Sequence, residues 1–451
     1  MEIIIVGCGK VGQTLVERLG EEDNNITIVD ISPLKVNEIQ DRYDCMGVVG
    51  NGATHTVLVE AGIETADLLI AVTGSDELNL LCCLIAKKEG NCQTIARVRS
   101  PQYAMEAGYF KEELGLAMVI NPEQAAAAEI ARVLQFPSAM KIDTFAKGRV
   151  ELLKFRLPEN SPLVGCKVKE ISSKMHCDVL ICTIERDEDV FIANGEFEFM
   201  ERDVISIIAA PKNAYAFFKK INYKATPVKD VMIVGGGGIA HYLCTILQRF
   251  GTDVKIIEKN AARCEVLSEM LHDVTIIHGD AADQDILLQE GIESVGGFVA
   301  LTNLDEENIL LSLYAKSMSN GKLVTKVNRI DFDQVIRQLD LDSIIYPKHI
   351  TAETIIRYVR AMRNTIGSNV ETLYQVIKGK VEAAEFVITA GNEMIGIPLS
   401  DLKFKENVLI AAILRDKKVI IPRGQDMIAQ GDAVVIVSTH LGLHDIQEIL
   451  R

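Results

Sequence analysis

Residues 3–12 read IIIVGCGKVG and residues 231–240 read VMIVGGGGIA. In both stretches a short apolar, β-branched run ends on a glycine. Small residues then recur at fixed spacing: Gly7, Gly9 and Gly12 in the first, Gly235, Gly237 and Ala240 in the second. A strand that runs into G-x-G-x-x-G or G-x-G-x-x-A and then into a helix has a physical reading. The first glycine permits the tight turn, the second lets a pyrophosphate approach the backbone, and the third position lets the helix pack close to the strand. The helical pattern is present, because Val11, Leu15, Val16 and Leu19 fall on one face. Each motif is followed by an acidic residue closing the next apolar run, Asp30 and Glu258, both 23 residues beyond the first glycine (30 − 7 and 258 − 235). A carboxylate there accepts hydrogen bonds from a ribose hydroxyl and repels a 2′-phosphate, which favours NAD over NADP and leaves ADP and ATP open.

The two motifs are landmarks of a longer repeat. Gly7 matches Gly235 at an offset of 228, and Gly50-Asn51-Gly52-Ala53 matches Gly279-Asp280-Ala281-Ala282 at 229. Thr73 and Asn79 match Thr302 and Asn308 at 229, and Pro122 matches Pro347 at 225. The offset of 229 returns further on, where ICTIER (181–186) matches IAAILR (410–415) and Asp203 matches Asp432. The chain is therefore two copies of one unit, each with a larger and a smaller part.

In the larger part, apolar runs alternate with helical patterns. The runs are 3–6, 26–30, 45–49, 68–72, 94–98 and 118–120 in the first copy, and 231–234, 254–258, 274–277, 298–301, 323–327 and 344–346 in the second. Strands apolar along their whole length are buried on both faces, so the pattern predicts a parallel, doubly wound sheet. The smaller parts carry short strands punctuated by glycine and read as α+β modules. The expected fold is α/β: two tandem Rossmann-like lobes, residues 1–138 and 226–365, each followed by a small module, residues 139–225 and 366–451.

Ligands of open α/β sheets sit beyond the carboxyl ends of the strands. That rule adds Asn51, Thr73 and Gly74 to Gly7, Cys8, Gly9, Lys10, Val11, Gly12 and Asp30 as candidate nucleotide residues in lobe 1. In lobe 2 it adds Asp280, Thr302 and Asn303 to Gly235, Gly236, Gly237, Gly238, Ile239 and Glu258. Arg97 and Arg99 end the fifth strand, opposite Lys326 and Asn328 in the repeat, and are suited to phosphates or to structural ion pairs. Lys10 adds a charge inside the first motif that Gly238 cannot supply in the second, so the lobes are expected to differ in nucleotide preference.

Composition narrows the function. The net charge is −16 over 451 residues, which argues against nucleic acid as a partner, since phosphate contacts need a basic face. No apolar run nears the roughly 18 residues that cross a bilayer, so the chain is expected to be soluble, with any membrane role supplied by a partner. Ten cysteines without a Cys-x-x-Cys read as free thiols of a reducing cytoplasm, and the scattered histidines suggest no metal site. No clustered His, Lys and carboxylate set marks a catalytic centre, so a regulator is expected rather than an NAD-dependent oxidoreductase or a redox-sensing DNA regulator.

A lobe, a connecting helix and a small module, repeated twice, resemble the TrkA family of Trk-type potassium uptake systems, and each half resembles an RCK domain (regulator of potassium conductance). The telling stretches are IIIVGCGKVG, LLIAVTGSDELN and IARVRSPQY in the first half, and VMIVGGGGIA, IIHGDAADQDILLQEGI and FVALTNLDEENI in the second. The resemblance covers essentially the whole chain. It implies a regulatory subunit, not an enzyme, docked on the cytoplasmic face of a Trk-type potassium-translocating membrane subunit. It implies NAD or NADH, with ATP or ADP as alternatives, held by the residues from Gly7 to Val11, Asp30, Thr73, Gly74 and Arg97. In lobe 2 the contacts are Gly235 to Ile239, Glu258 and the loop at Thr302 and Asn303. It also implies a symmetric homo-oligomer, a tetramer or ring. Asn51 departs from the pattern, standing where lobe 2 has the acidic Asp280.

Overall fold

The computed structural model describes every residue except 23, 91, 136–140, 146–148, 159, 176, 188, 222–227, 329–338, 340, 365–369, 378, 417 and 444. The expected boundaries after residues 138, 225 and 365 fall within three of these gaps, outside the described residues.

Lobe 1 contributes β1 (Glu2–Val6), β2 (Asn25–Asp30), β3 (Met46–Val49), β4 (Leu68–Ala71), β5 (Gln93–Arg97) and β6 (Met118–Ile120). Module 1 follows with β7 (Lys141–Phe145), β8 (Val150–Arg156), β9 (Val179–Arg186), β10 (Asp189–Ile192) and β11 (Val204–Ala209). Lobe 2 repeats the first plan with β12 (Asp230–Val234), β13 (Asp253–Glu258), β14 (Val274–His278), β15 (Gly297–Ala300), β16 (Lys322–Lys326) and β17 (Ser343–Ile345). Module 2 closes the chain with β18 (Val370–Ile377), β19 (Val381–Val387), β20 (Val408–Arg415), β21 (Lys418–Ile420) and β22 (Ala433–Ser438).

Both lobe sheets are parallel and six-stranded, in the orders β3-β2-β1-β4-β5-β6 and β14-β13-β12-β15-β16-β17. This is the doubly wound arrangement expected from the apolar runs. The central strands explain it: Ile3, Ile4, Ile5 and Val6 are all buried, as are Leu68 to Ala71 beside them, so helices must cover both faces. The helix Lys10–Gly20 turns Val11, Leu15, Val16 and Leu19 onto the sheet, as their spacing predicts. In each sheet the winding reverses between the first and fourth strands, and the loops leaving those two strands diverge to open a crevice.

The chain forms two compact units that cut across the repeat: the lobes pair as Met1–Ala131 with Lys229–Ile356, and the modules as Arg132–Val228 with Arg357–Arg451. Within the lobe unit, the Tyr242 hydroxyl of lobe 2 accepts from Asn121 Nδ2 (2.9 Å) and donates to the Arg99 carbonyl (3.1 Å), both in lobe 1. Arg18 of lobe 1 lies 3.8 Å from Glu353 of lobe 2.

Within the module unit, two five-stranded sheets pack through a shared apolar layer that includes Leu152, Ile208, Ala411 and Val435. Phe145 and Tyr374 meet edge to face across it, with ring centroids 4.9 Å apart. The repeat landmarks at Arg186 and Asp203 prove to be a bidentate ion pair with bonds of 2.8 and 2.9 Å, and Arg415 and Asp432 repeat it at 2.9 and 2.7 Å. Both aspartates are 1% exposed, and each also accepts a backbone N–H, from Met200 and from Ala429. The fork of the guanidinium matches the carboxylate and compensates its burial.

Candidate functional site

The glycine motifs form the turns their spacing predicts. Gly7 has φ +109° and Gly235 φ +97°, in the region that side chains rarely adopt. A Cβ on Gly7 would stand 2.9 Å from the Thr73 nitrogen, and one on Gly235 2.9 Å from the Leu301 carbonyl carbon. The turn is therefore pressed against the end of the fourth strand. Gly12 packs tighter still, since a Cβ there would lie 1.9 Å from the Gly7 carbonyl oxygen. Lobe 2 holds Ala240 at the same place, fully buried.

The middle glycines behave differently. Gly9 and Gly237 have ordinary extended backbones (φ −76° and −71°), and a Cβ on either would meet nothing within 4 Å. Each caps an eleven-residue helix, Lys10–Gly20 and Gly238–Gln248, and no side chain bonds to either cap. Open space thus lies directly before a helix N-terminus whose first-turn N–H groups lack helical partners, and that is the environment a pyrophosphate takes. Val11 and Ile239 bury their side chains (9% and 8% exposed), so they face this space only with backbone.

The two acidic residues occupy equivalent positions. Asp30 accepts from Cys8 N (2.7 Å) and Ser32 N (2.9 Å), and Glu258 accepts from Gly236 N (2.7 Å) and Asn260 N (2.8 Å). Each carboxylate is fixed beside its glycine turn by backbone donors, with lone pairs left for ribose hydroxyls. Cys8 is buried, and that burial, with Asp30 adding to it, pushes its thiol up to about 12. It is a neutral packing group and not a nucleophile.

Asn51 and Asp280 perform the same local task. Their side chains accept from Ala53 N and Ala282 N, both at 3.0 Å, so the acidic-to-amide difference changes charge and leaves the turn intact. Thr73 and Thr302 are each held by the asparagine six residues further on, which in the sequence is visible only as a landmark of the repeat. The fully buried Asn79 accepts from Thr73 N (2.8 Å) and donates to the Arg97 carbonyl (2.8 Å). Asn308 repeats this toward Thr302 N (2.8 Å) and the Lys326 carbonyl (3.0 Å). Gly74 follows Thr73 with open space around its missing side chain.

In lobe 2 these parts enclose a cavity of about 380 Å³. Gly235, Gly236, Gly237, Glu258, Asp280, Thr302 and Asn303 line it, while Gly238 lies outside it, in a neighbouring cleft of about 640 Å³ between the lobes. Arg263 lines both spaces, its Nε donating to the Gly236 carbonyl (2.7 Å). The sequence reading missed this residue. The signal was there, because Arg263 matches Lys35 at the motif's own offset of 228, a basic residue in both lobes.

Arg97 and Lys326 fold back over the fourth-strand loops: Arg97 Nη2 donates to the Thr73 carbonyl and Lys326 Nζ to Leu301 (3.3 Å). Arg97 Nε is buried without a partner, which leaves a donor for an anion. Arg99 instead points toward Glu123, at 3.8 Å. Asp76 also went unread; its carboxylate accepts from Arg99 N and Ser100 N (2.9 and 2.8 Å) and shapes the loop after β5. Among the described residues no cluster of His, Cys, Asp and Glu could hold a metal, and no helix is long and apolar enough to cross a membrane. In both lobes a left-handed glycine turn, a helix N-terminus without a side-chain cap and a backbone-anchored carboxylate come together, and in lobe 2 they border the cavity.

Comparisons with known proteins agree with this architecture. The TrkA-N domain matches residues 3–122 and 231–347, and the TrkA-C domain matches 152–222 and 383–451. The Trk system potassium uptake protein TrkA of Vibrio alginolyticus is 33% identical over 443 residues, spanning 97% of this chain and 95% of that protein. The crystal structure of the GsuK RCK domain superposes with a TM-score of 0.65 at 18% identity, over 97% of this chain and 92% of that one. The GsuK channel bound to NAD gives 0.65 at 17% identity, over 97% and 76%. At those identities the structures speak for the fold alone. With two TrkA-N and two TrkA-C domains in alternation and relatives aligned end to end, this chain belongs to the TrkA family of Trk potassium uptake proteins.

Proposed function

We infer that this chain is the nucleotide-sensing regulatory subunit of a Trk-type potassium uptake system, a regulator and not an oxidoreductase. The observation that carries the reading is the duplicated open cradle: Gly9 and Gly237 before helix N-termini without caps, each beside a backbone-anchored carboxylate. The residues from Gly7 to Gly12 with Asp30, Asn51, Thr73, Gly74 and Arg97 hold one nucleotide. Those from Gly235 to Ile239 with Glu258, Asp280, Thr302 and Asn303 hold the other. The ligand is NAD or NADH, with ATP and ADP as competitors, because both carboxylates select against a 2′-phosphate.

The chain acts as a symmetric homo-oligomer, a tetramer or ring, on the cytoplasmic face of its membrane partner. Its four segments divide near residues 138, 225 and 365. A nucleotide biases such an assembly only by binding one state better than another, and the lobe pair is the natural moving part. Calorimetric titration with NADH, NAD, ATP and ADP, alongside Asp30→Ala and Glu258→Ala, tests the reading. Each substitution is expected to weaken binding about tenfold or more, the worth of a charge-assisted hydrogen-bond pair. Absence of binding by all four would sink it.

A further inference from the structure

The two phosphate cradles differ in what the opposite lobe places before them. Gly238 is the first residue of the lobe 2 helix, and a Cβ there would lie 3.1 Å from Cγ of Glu123, a lobe 1 residue. One Glu123 oxygen is 3.8 Å from Arg99 Nε, and the other is buried without a partner. A carboxylate therefore stands at the mouth of the lobe 2 cradle, in the cleft that continues from it past Arg263. In that cleft burial, with Arg263 adding to it, lowers the pKa of His241, which leaves Arg263 as the lobe 2 cation that lines it. Burial raises the Glu123 carboxyl above the ordinary range, while its own backbone N–H, Arg99 and Arg97 pull it down against a smaller push from Asp76.

Lobe 1 differs in sequence at both places. Lys10 stands where lobe 2 has Gly238, and the register equivalent of Glu123 is Lys348 (Pro122 matching Pro347). Burial lowers the Lys326 ammonium of lobe 2, with Asp305 opposing that, Lys10 adding to it and Glu123 opposing it.

We propose that Glu123, contributed by lobe 1, sets the lobe 2 site against nucleotides charged beyond the second phosphate, so that nucleoside triphosphate occupies lobe 1 and the dinucleotide occupies lobe 2. The physical reason is placement. The glycine cradle neutralises a pyrophosphate in either lobe, and a third phosphate extends past the helix N-terminus. It there meets the Glu123 carboxylate in lobe 2 and the Lys10 ammonium in lobe 1. Charges several ångströms apart in a partly buried cleft change affinity by about tenfold or more. The proposal rests on the nucleotide-sensing reading and adds a lobe assignment to it.

The test uses the full chain with one cradle filled at a time. Gly9→Val and Gly237→Val add an uncharged side chain to the open space without left-handed strain, silencing lobe 1 or lobe 2. In the Gly9→Val chain, Glu123→Gln is expected to tighten ATP about tenfold and leave NADH within twofold. In the Gly237→Val chain, Lys10→Gly is expected to weaken ATP about tenfold and NADH much less. Melting curves confirm that each variant folds. If ATP binds both single-cradle chains equally and neither substitution moves it while NADH still binds, the lobe assignment is overturned and the sensor reading stands. If no nucleotide binds the unmodified chain, the sensor reading falls and the assignment with it.

Discussion

Gly235 and Gly237 are two residues apart in one loop, and the structure gives them opposite fates. Gly237 caps the helix Gly238–Gln248 with an extended backbone and open space where a Cβ would go. Aspartate there is sterically free, caps the first-turn N–H groups and opposes the helix dipole. Gly237→Asp is therefore expected to stabilise the lobe unit by about 0.5–1 kcal/mol. The same carboxylate occupies the volume and the donors that a pyrophosphate needs, so nucleotide affinity in lobe 2 falls by roughly a hundredfold or more. Gly235→Ala does the reverse of the first effect. Its φ of +97° costs an alanine about 1–2 kcal/mol, and its Cβ would press at 2.9–3.0 Å on the Leu301 and Thr302 backbones, adding about 1–2 kcal/mol. Scanning calorimetry gives the stability order, and titration of the Gly9→Val background with NADH gives the lobe 2 affinity. If Gly237→Asp melted as early as Gly235→Ala, the loop would not have the described geometry. If Gly237→Asp bound NADH normally, the cradle would not be the pyrophosphate site.

Three further outcomes follow from individual contacts. Asp432→Asn, or Asp203→Asn, breaks a bidentate pair whose aspartate is buried and whose guanidinium reaches solvent; about 2 kcal/mol is expected to be lost in chemical denaturation. Burial lifts the Glu151 carboxyl in module 1 to about 7 from an ordinary 4.5, against the pull of Arg132. The folded chain then holds a proton that the unfolded chain has released, so stability declines as pH rises from about 4.5 to 7 and levels off above. Glu151→Gln should flatten that decline, worth on the order of 2 kcal/mol by denaturation at pH 5 and pH 8. Cys82 and Cys83 are fully buried, and burial raises both thiols, so neither should react with a thiol reagent at pH 8 until the chain unfolds.

Much of this protein was legible in order along the chain, because order is what local physics encodes. The apolar runs marked all twelve lobe strands to within a residue or two at their ends. The helix face of Val11, Leu15, Val16 and Leu19 was written in its spacing, and Asp30 and Glu258 stood at the ends of the strands as the motif requires. The near-constant offset fixed the duplication. What the sequence alone could not decide was which groups meet. Asn79, Arg186 and Asp203 appeared only as landmarks, since their partners lie on other strands and a residue type does not name its partner. Arg263 escaped because its role depends on a loop 27 residues away. The pairing of lobe with lobe, and with it the position of Glu123 before the lobe 2 helix, belongs wholly to tertiary packing. No periodicity records it: the contact joins residues 115 apart through the burial of surfaces that each lobe leaves exposed by itself.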